Sequence, residues 1–206
     1  MYPGLRASRP RVIGILGGSF NPAHAGHIHI TKAAMRALGL DAVVWLVSPS
    51  NPLKDPASLA PFAMRVHHAR HLTRHHPSLH VSALEQQQHL TYTVDTLSYI
   101  TRTYRQHRFI WLMGADNLAS FHRWRNWQQI ASLVPIAIMD RAPRTRASLS
   151  SPFVRRFHAQ RVPPRQLAAS KAPAWSFLFI KRHAESATRL RNSLGTAAFL
   201  GHNGEM

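Results

Sequence analysis

The chain has 206 residues, with 26 Lys and Arg against 8 Asp and Glu, a formal charge of +18 and no cysteine. That length fits one domain with its own core, the lack of cysteine excludes disulfides and thiolate chemistry, and no apolar run approaches the roughly 20 residues that span a bilayer. So basic a surface attracts polyanions and anionic small molecules, but the charges are scattered and neither zinc-finger spacing nor an RNA-recognition aromatic motif is present. The expected partner is therefore a small anionic substrate rather than nucleic acid or a membrane. The first ten residues lack the apolar stretch of a signal peptide and read as a loose leader, which points to the cytoplasm.

Arg11 to Leu16 is a β-branched run ending at Gly17-Gly18 and reads as a buried first strand. From His24 to Leu38 the apolar residues Ile28, Ala34, Met35 and Leu38 share a helical face, and Gly39 is a stop. Ala42 to Val47 is a second strand, closed by the turn-forming cluster Ser48-Pro49-Ser50-Asn51-Pro52. Phe62 to His75 reads as a helix, Leu79 to Leu84 as a strand, and Val94 to Tyr104 as a helix with Thr93 as its N-cap. Phe109 to Met113 is a third strong strand, closed by Gly114. Trp127 to Leu133 reads as a short helix, Pro135 to Met139 as a strand, Trp175 to Ile180 as a late strand, and Ser186 to Phe199 as a closing helix. Arg141 to Arg146 and Val162 to Pro173 are Pro- and Arg-rich connections. Strands alternating with helices predict an α/β fold: a mainly parallel sheet covered on both faces. Ligands in such folds sit at the carboxyl ends of the strands, which singles out the loops at Gly17, Ser48 and Gly114.

The first of these loops carries the most chemistry. Gly17-Gly18-Ser19 follows a strand directly, and glycines permit tight turns and close approach to a phosphate. The helix beyond directs free N–H groups back at the loop. His24 and His27, three apart around Gly26, can face one space there. Two imidazoles beside a phosphate site suit phosphoryl or nucleotidyl transfer, where they donate to oxygens that gain charge. A pair of surface histidines is the plain alternative, and the glycines, turn and strand–loop–helix context argue against it. The spacing is also compatible with a metal pair, which is read as the lesser alternative. No Gly-Lys-Ser/Thr follows, so a Walker A loop is excluded, and a Gly-x-Gly-x-x-Gly is absent too. The His-rich stretch with His67, His68, His71, His75 and His76 is read as solvated surface.

The segment Gly17-Gly18-Ser19-Phe20-Asn21-Pro22, then His24-Ala25-Gly26-His27, resembles the signature of the HxGH nucleotidyltransferases, and more narrowly of the nicotinate-nucleotide adenylyltransferases. Further matches are Pro49-Ser50-Asn51-Pro52-Leu53-Lys54, Thr91-Tyr92-Thr93-Val94-Asp95-Thr96-Leu97, Gly114-Ala115-Asp116-Asn117-Leu118 with Trp124, and Ser186-Ala187-Thr188-Arg189-Leu190-Arg191. Two positions depart from the family form. Asn21 stands where Asp is common, keeping an acceptor but dropping a charge, and Ala187 replaces a Ser and so removes one hydroxyl.

The resemblance implies a Rossmann-like nucleotidyltransferase fold in one domain over residues 1–206. It also implies a reaction in which ATP, with Mg²⁺, adenylylates nicotinate mononucleotide. His24, His27 and Lys54 are then the catalytic side chains. Gly17, Gly18, Ser19, Phe20, Gly114 and Asp116, with Ser186, Thr188 and Arg191, join the two histidines in binding ATP. Ser19, Lys54, Thr91, Tyr92, Thr93 and Trp124 bind the acceptor, Trp124 stacking on the pyridine and Thr91–Thr93 holding its carboxylate at a helix start. Plain alternatives stand beside these roles: Lys54 as a solvated loop residue, Asp116 as a helix N-cap, Asp95 as a first-turn acid, and Trp124 as a packing aromatic, with Trp127 the better core candidate. The attacking phosphate oxygen is already ionised, so the chemistry needs no general base, only alignment and charge stabilisation.

Overall fold

The structure, a computed structural model, describes residues 9–49, 59–140 and 150–180. Lys54, Ser186, Thr188 and Arg191 lie outside the described residues, as do Arg141 to Arg146 and the expected closing helix.

Six strands form one sheet: β1 (Val12–Gly18), β2 (Ala42–Val47), β3 (Leu79–Ser82), β4 (Arg108–Gly114), β5 (Ile136–Asp140) and β6 (Trp175–Phe179). Their order is β3-β2-β1-β4-β5-β6, and every pairing is parallel. The strand order reverses between β1 and β4, so a crevice opens at the carboxyl ends of those two strands. Being buried on both faces, β2 reads as an unbroken apolar run, Ala42-Val43-Val44-Trp45-Leu46-Val47.

Alternate residues of each strand feed two cores. Ile13, Ile15, Val44, Leu46 and Trp111 face the side covered by α4 (Thr93–Thr103), α6 (Trp127–Leu133) and α7 (Pro152–Arg156). Leu16, Val43, Trp45, Ile110 and Leu112 face the side covered by α1 (Ala25–Leu38), α2 (Phe62–Thr73) and α8 (Pro164–Leu167). Gly39 ends α1 at φ 66°, with its N–H on the Met35 carbonyl, as its sequence position led us to expect.

Several boundaries differ from the sequence reading. Tyr92, not Thr93, occupies the N-cap of α4: Tyr92 keeps an extended backbone and Thr93 is already helical. Gly114 is the N-cap of the short α5 (Ala115–Leu118), so Asp116 sits inside the first turn rather than capping it. The turn Leu84–Gln87 (α3) ends β3 early, since Leu84 turns into the core after Ser82. α7 occupies a stretch where the sequence indicated no element; its Ser151 side chain accepts from the Val154 N–H and Pro152 opens the helix. Within the Pro-rich connection, α8 forms with Pro164 at its start. Trp127 is half-buried like Trp124, packed against Phe121, Phe153 and Phe157 rather than sealed in the core.

Candidate active site

The two glycines of the first loop are strand residues. Both belong to β1 and neither has a positive φ. Gly17 is required for space: a Cβ there would lie 2.4 Å from the Trp111 ring. The turn is made instead by Phe20, at φ 46°, followed by Asn21-Pro22. A left-handed Phe costs about 1–2 kcal/mol, and its ring recovers this by stacking on Trp45, 5.0 Å away at 17°. The Asn21 carboxamide oxygen accepts the Ala60 N–H at 3.0 Å. An amide serves that bond as a carboxylate would, so the departure from Asp leaves the turn intact.

That turn delivers the chain to α1, whose N-cap is His24. His24 is buried and His27 half-buried, with ring centroids 3.9 Å apart. The His24 N–H donates to His27 Nδ1 at 3.2 Å. A ring that accepts at Nδ1 carries its proton at Nε2 when neutral, so His27 is a Nε2–H donor. Its ring is held by Phe20 and Trp45 at 5.0 and 5.7 Å. Its carbonyl accepts the Thr31 hydroxyl, which in turn accepts the Trp45 indole N–H. The two imidazoles are thus fixed at the start of a 14-residue helix, where partial positive charge favours anions.

Across the sheet tip, α4 begins at Tyr92-Thr93, with Thr91 exposed before it. The Tyr92 carbonyl accepts the N–H groups of Asp95 and Thr96, which leaves those of Thr93 and Val94 as the helix-start donors. Asp95 is an exposed first-turn acid. Trp124 follows a single turn, Phe121–Arg123, and meets the Trp111 ring edge-on at 6.4 Å. Trp111 also covers Gly17, so it links Trp124 to the first loop. Gly114 and Asp116 complete the rim at the end of β4. Among the described residues, no group of three or more His, Asp or Glu is gathered to hold a metal. The site offers imidazole and backbone donors rather than a carboxylate cage.

Three residues of this rim escaped sequence reasoning. Arg65 is buried and donates only to backbone carbonyls around the site. Its signal was available, since Arg65, Ala69 and Thr73 recur every four residues on the buried face of α2. Glu85 is buried behind α4, where burial pushes its carboxyl up to about 7 against hydrogen bonds from Thr96 and Ser48. Arg125 lays its guanidinium over the Tyr92 ring at 4.6 Å. Neither of these two has a sequence signal beyond residue type.

The cytidylyltransferase-like family matches residues 15–192. A protein of Rhizobium meliloti (strain 1021) named "Probable nicotinate-nucleotide adenylyltransferase" is 45% identical over 184 residues, 88% of this chain and 97% of that one. One of the same name from Methylorubrum extorquens is 46% identical over 87% of this chain and 98% of its own. Among solved structures, Plasmodium falciparum nicotinic acid mononucleotide adenylyltransferase complexed with NaAD shares the fold with a TM-score of 0.67 at 16% identity, over 89% of this chain and 84% of that one. The same protein complexed with APC gives 0.65 over the same shares. With the histidine pair, the parallel sheet and relatives of this identity and span in agreement, the chain belongs to the cytidylyltransferase-like family, among its nicotinate-nucleotide adenylyltransferases.

Proposed function

We propose that the protein transfers the adenylyl group of ATP to nicotinate mononucleotide, forming nicotinate adenine dinucleotide and pyrophosphate in NAD biosynthesis, as one catalytic domain in the cytoplasm. The observation that carries this is the fixed imidazole pair, 3.9 Å apart at the start of α1 and at the tip of β1. An oxygen of the acceptor phosphate attacks the α-phosphorus of ATP. The bond from that phosphorus to the bridging oxygen breaks, and pyrophosphate leaves with the electron pair. His27 Nε2–H donates to the α-phosphate oxygen as charge accumulates, and His24 stands beside it. Gly17, Gly18, Ser19 and Phe20 line the phosphates, and Gly114 and Asp116 take the ribose of ATP.

Lys54, Ser186, Thr188 and Arg191 are assigned to phosphate binding on the motif resemblance alone. Mg²⁺ would arrive with ATP, held by phosphate oxygens and water, and no described side chain is assigned to it. On the acceptor side, Trp124 stacks on the pyridine, while the α4 start at Thr91, Tyr92 and Thr93 receives the carboxylate. The Arg125 guanidinium over Tyr92 supports an acid rather than an amide acceptor.

Pyrophosphate release, measured with ATP and each mononucleotide in turn, tests the reading. Turnover with nicotinate mononucleotide well above that with the nicotinamide form is expected. A preference for the amide, or for phosphopantetheine, would overturn the acceptor assignment. Steeply salt-dependent binding to DNA or RNA with no turnover would replace the enzyme by a nucleic-acid-binding protein.

A further inference from the structure

Arg65 is 1% exposed, yet its bonds go to main-chain carbonyls rather than to a carboxylate. Nε donates to Ala60 at 2.9 Å, Nη1 to Ser19 and Ser48 at 2.7 Å each, and Nη2 to Pro49 at 2.9 Å. These acceptors come from three segments: the first loop, the exit of β2, and the lead into α2. Ala60 is used twice: its carbonyl accepts from Arg65 and its N–H donates to the Asn21 Oδ1. Ser48 is a second node. Its N–H donates to the Gly18 carbonyl, its carbonyl receives Arg65, and its side chain bonds the Glu85 carboxyl. Glu85 then accepts the Thr96 hydroxyl at 3.1 Å, and that hydroxyl also contacts the Tyr92 carbonyl at 3.2 Å. One chain of polar contacts therefore crosses the sheet tip from Ser19 to Tyr92.

A buried guanidinium is costly unless its donors are matched. Holding the sheet together would not require it, because β1 and β2 are already paired through their own ladder. What the ladder leaves unset is the path of the chain beyond its ends, and every Arg65 acceptor lies there. The planar fork reaches several acceptors at fixed angles, which a lysine ammonium does not reproduce.

We infer that Arg65 is a positioning residue for adenylyl transfer. It fixes the first loop, and with it His24 and His27, against the segment leaving β2, and through Ser48 and Glu85 against the start of α4 at Tyr92. This rests on the adenylyl-transfer reading above. Arg65 touches no reacting atom; it sets where the touching groups stand. Misplacement of about 1 Å can cost on the order of 100-fold in rate, so the effect belongs in kcat rather than in ATP binding.

The test compares the full-length wild type with Arg65→Lys and Arg65→Ala, with kcat expressed per folded protein from urea titrations. Arg65→Lys should lower kcat by about 10- to 100-fold while the KM for ATP stays within about threefold. Arg65→Ala should regain about tenfold in activity with guanidinium ion at tens of millimolar, and not with ammonium at equal ionic strength. Thr96→Val leaves the Arg65 bonds in place and removes the hydroxyl that joins Glu85 to the Tyr92 carbonyl, so it should raise the KM for the mononucleotide more than that for ATP. Wild-type kcat in folded Arg65→Lys overturns the inference, and so does rescue by ammonium as good as by guanidinium. Wild-type KM values for both substrates in Thr96→Val overturn the far arm, and should neither Arg65 variant fold, wild-type kcat in Asn21→Ala, which frees the first loop from Ala60, overturns the near one. A wild type that uses neither mononucleotide is a different failure, that of the reaction assigned.

Discussion

The two sides of the sheet tip are built by different physics. On the α1–α2 side, Arg65, Asn21, Ser48 and the His24–His27 pair hold the backbone by directed hydrogen bonds. On the α4–α6 side, Trp111, Trp124 and Phe121 pack as one aromatic cluster, with Trp124 meeting Phe121 and Trp111 through ring edges at 5.3 and 6.4 Å and itself only half-buried. Phosphate transfer demands donors at set distances from oxygens that change charge, and only a rigid polar frame supplies them without reorganising. A pyridine ring needs a flat apolar surface, which tolerates small shifts. Changes on the first side should therefore fall on kcat, and changes on the second on the KM of the acceptor.

The sharpest way to break that contrast is His27→Ala. Removing one preorganised donor should lower kcat by about 10²- to 10³-fold with the fold retained, as read by pyrophosphate release and circular dichroism. Turnover like that of the wild type would remove the imidazole from the chemistry.

Next comes Glu85, which lies between the two sides. Its folded value is raised from 4.5 to about 7 by burial. The folded state thus binds the proton more tightly than the unfolded state, and stability falls as pH rises from 4.5 toward 7. The interval corresponds to about 3 kcal/mol. Glu85→Gln cannot ionise, so its stability relative to wild type should improve by roughly that amount between pH 4.5 and pH 8, measured by urea unfolding. A difference that does not change with pH would count against a buried, protonatable carboxyl. His68 and His80, whose values burial lowers, slope the other way in both proteins and cancel in the comparison.

Trp124→Ala tests the aromatic side. Loss of one stacking surface is worth about 1–3 kcal/mol, so the KM for nicotinate mononucleotide should rise about tenfold or more while that for ATP stays near wild type. A matching rise for ATP would mean that the two sides are not separate. Gly39→Ala, far from both, is the reference. Its φ of 66° disfavours a side chain although nothing lies within 4 Å of the added Cβ. It should cost about 1 kcal/mol in stability and leave both kinetic constants unchanged.

Much of this is legible from residue patterns. The β2 run matches residue for residue because a strand buried on both faces has no polar alternative, and the Gly39 stop follows from glycine's access to left-handed backbone. α7 escapes a sequence reading because its five residues, Pro152–Arg156, are too short for a helical period to register, and only its Ser-Pro start marks it. Thr93 reads as a cap because threonine is a favoured N-cap residue, whereas the position is held by Tyr92 with no side-chain cap bond. Arg65 sits among the histidines and arginines of α2 and looks solvated by residue type, although its four-residue spacing with Ala69 and Thr73 marks the buried face.

By itself, the sequence determined the alternation of strands and helices, the loops at Gly17, Ser48 and Gly114, and the histidine spacing. Each of these depends on neighbours within a few residues. Tertiary structure alone decided that Gly17 is small because Trp111 lies over it, that His27 presents Nε2–H because His24 N–H occupies Nδ1, and that Arg65 ties Ser19 to Ser48. The first and last of these join residues 94, 46 and 17 positions apart, and all three turn on side-chain packing and direction, which periodicity does not encode.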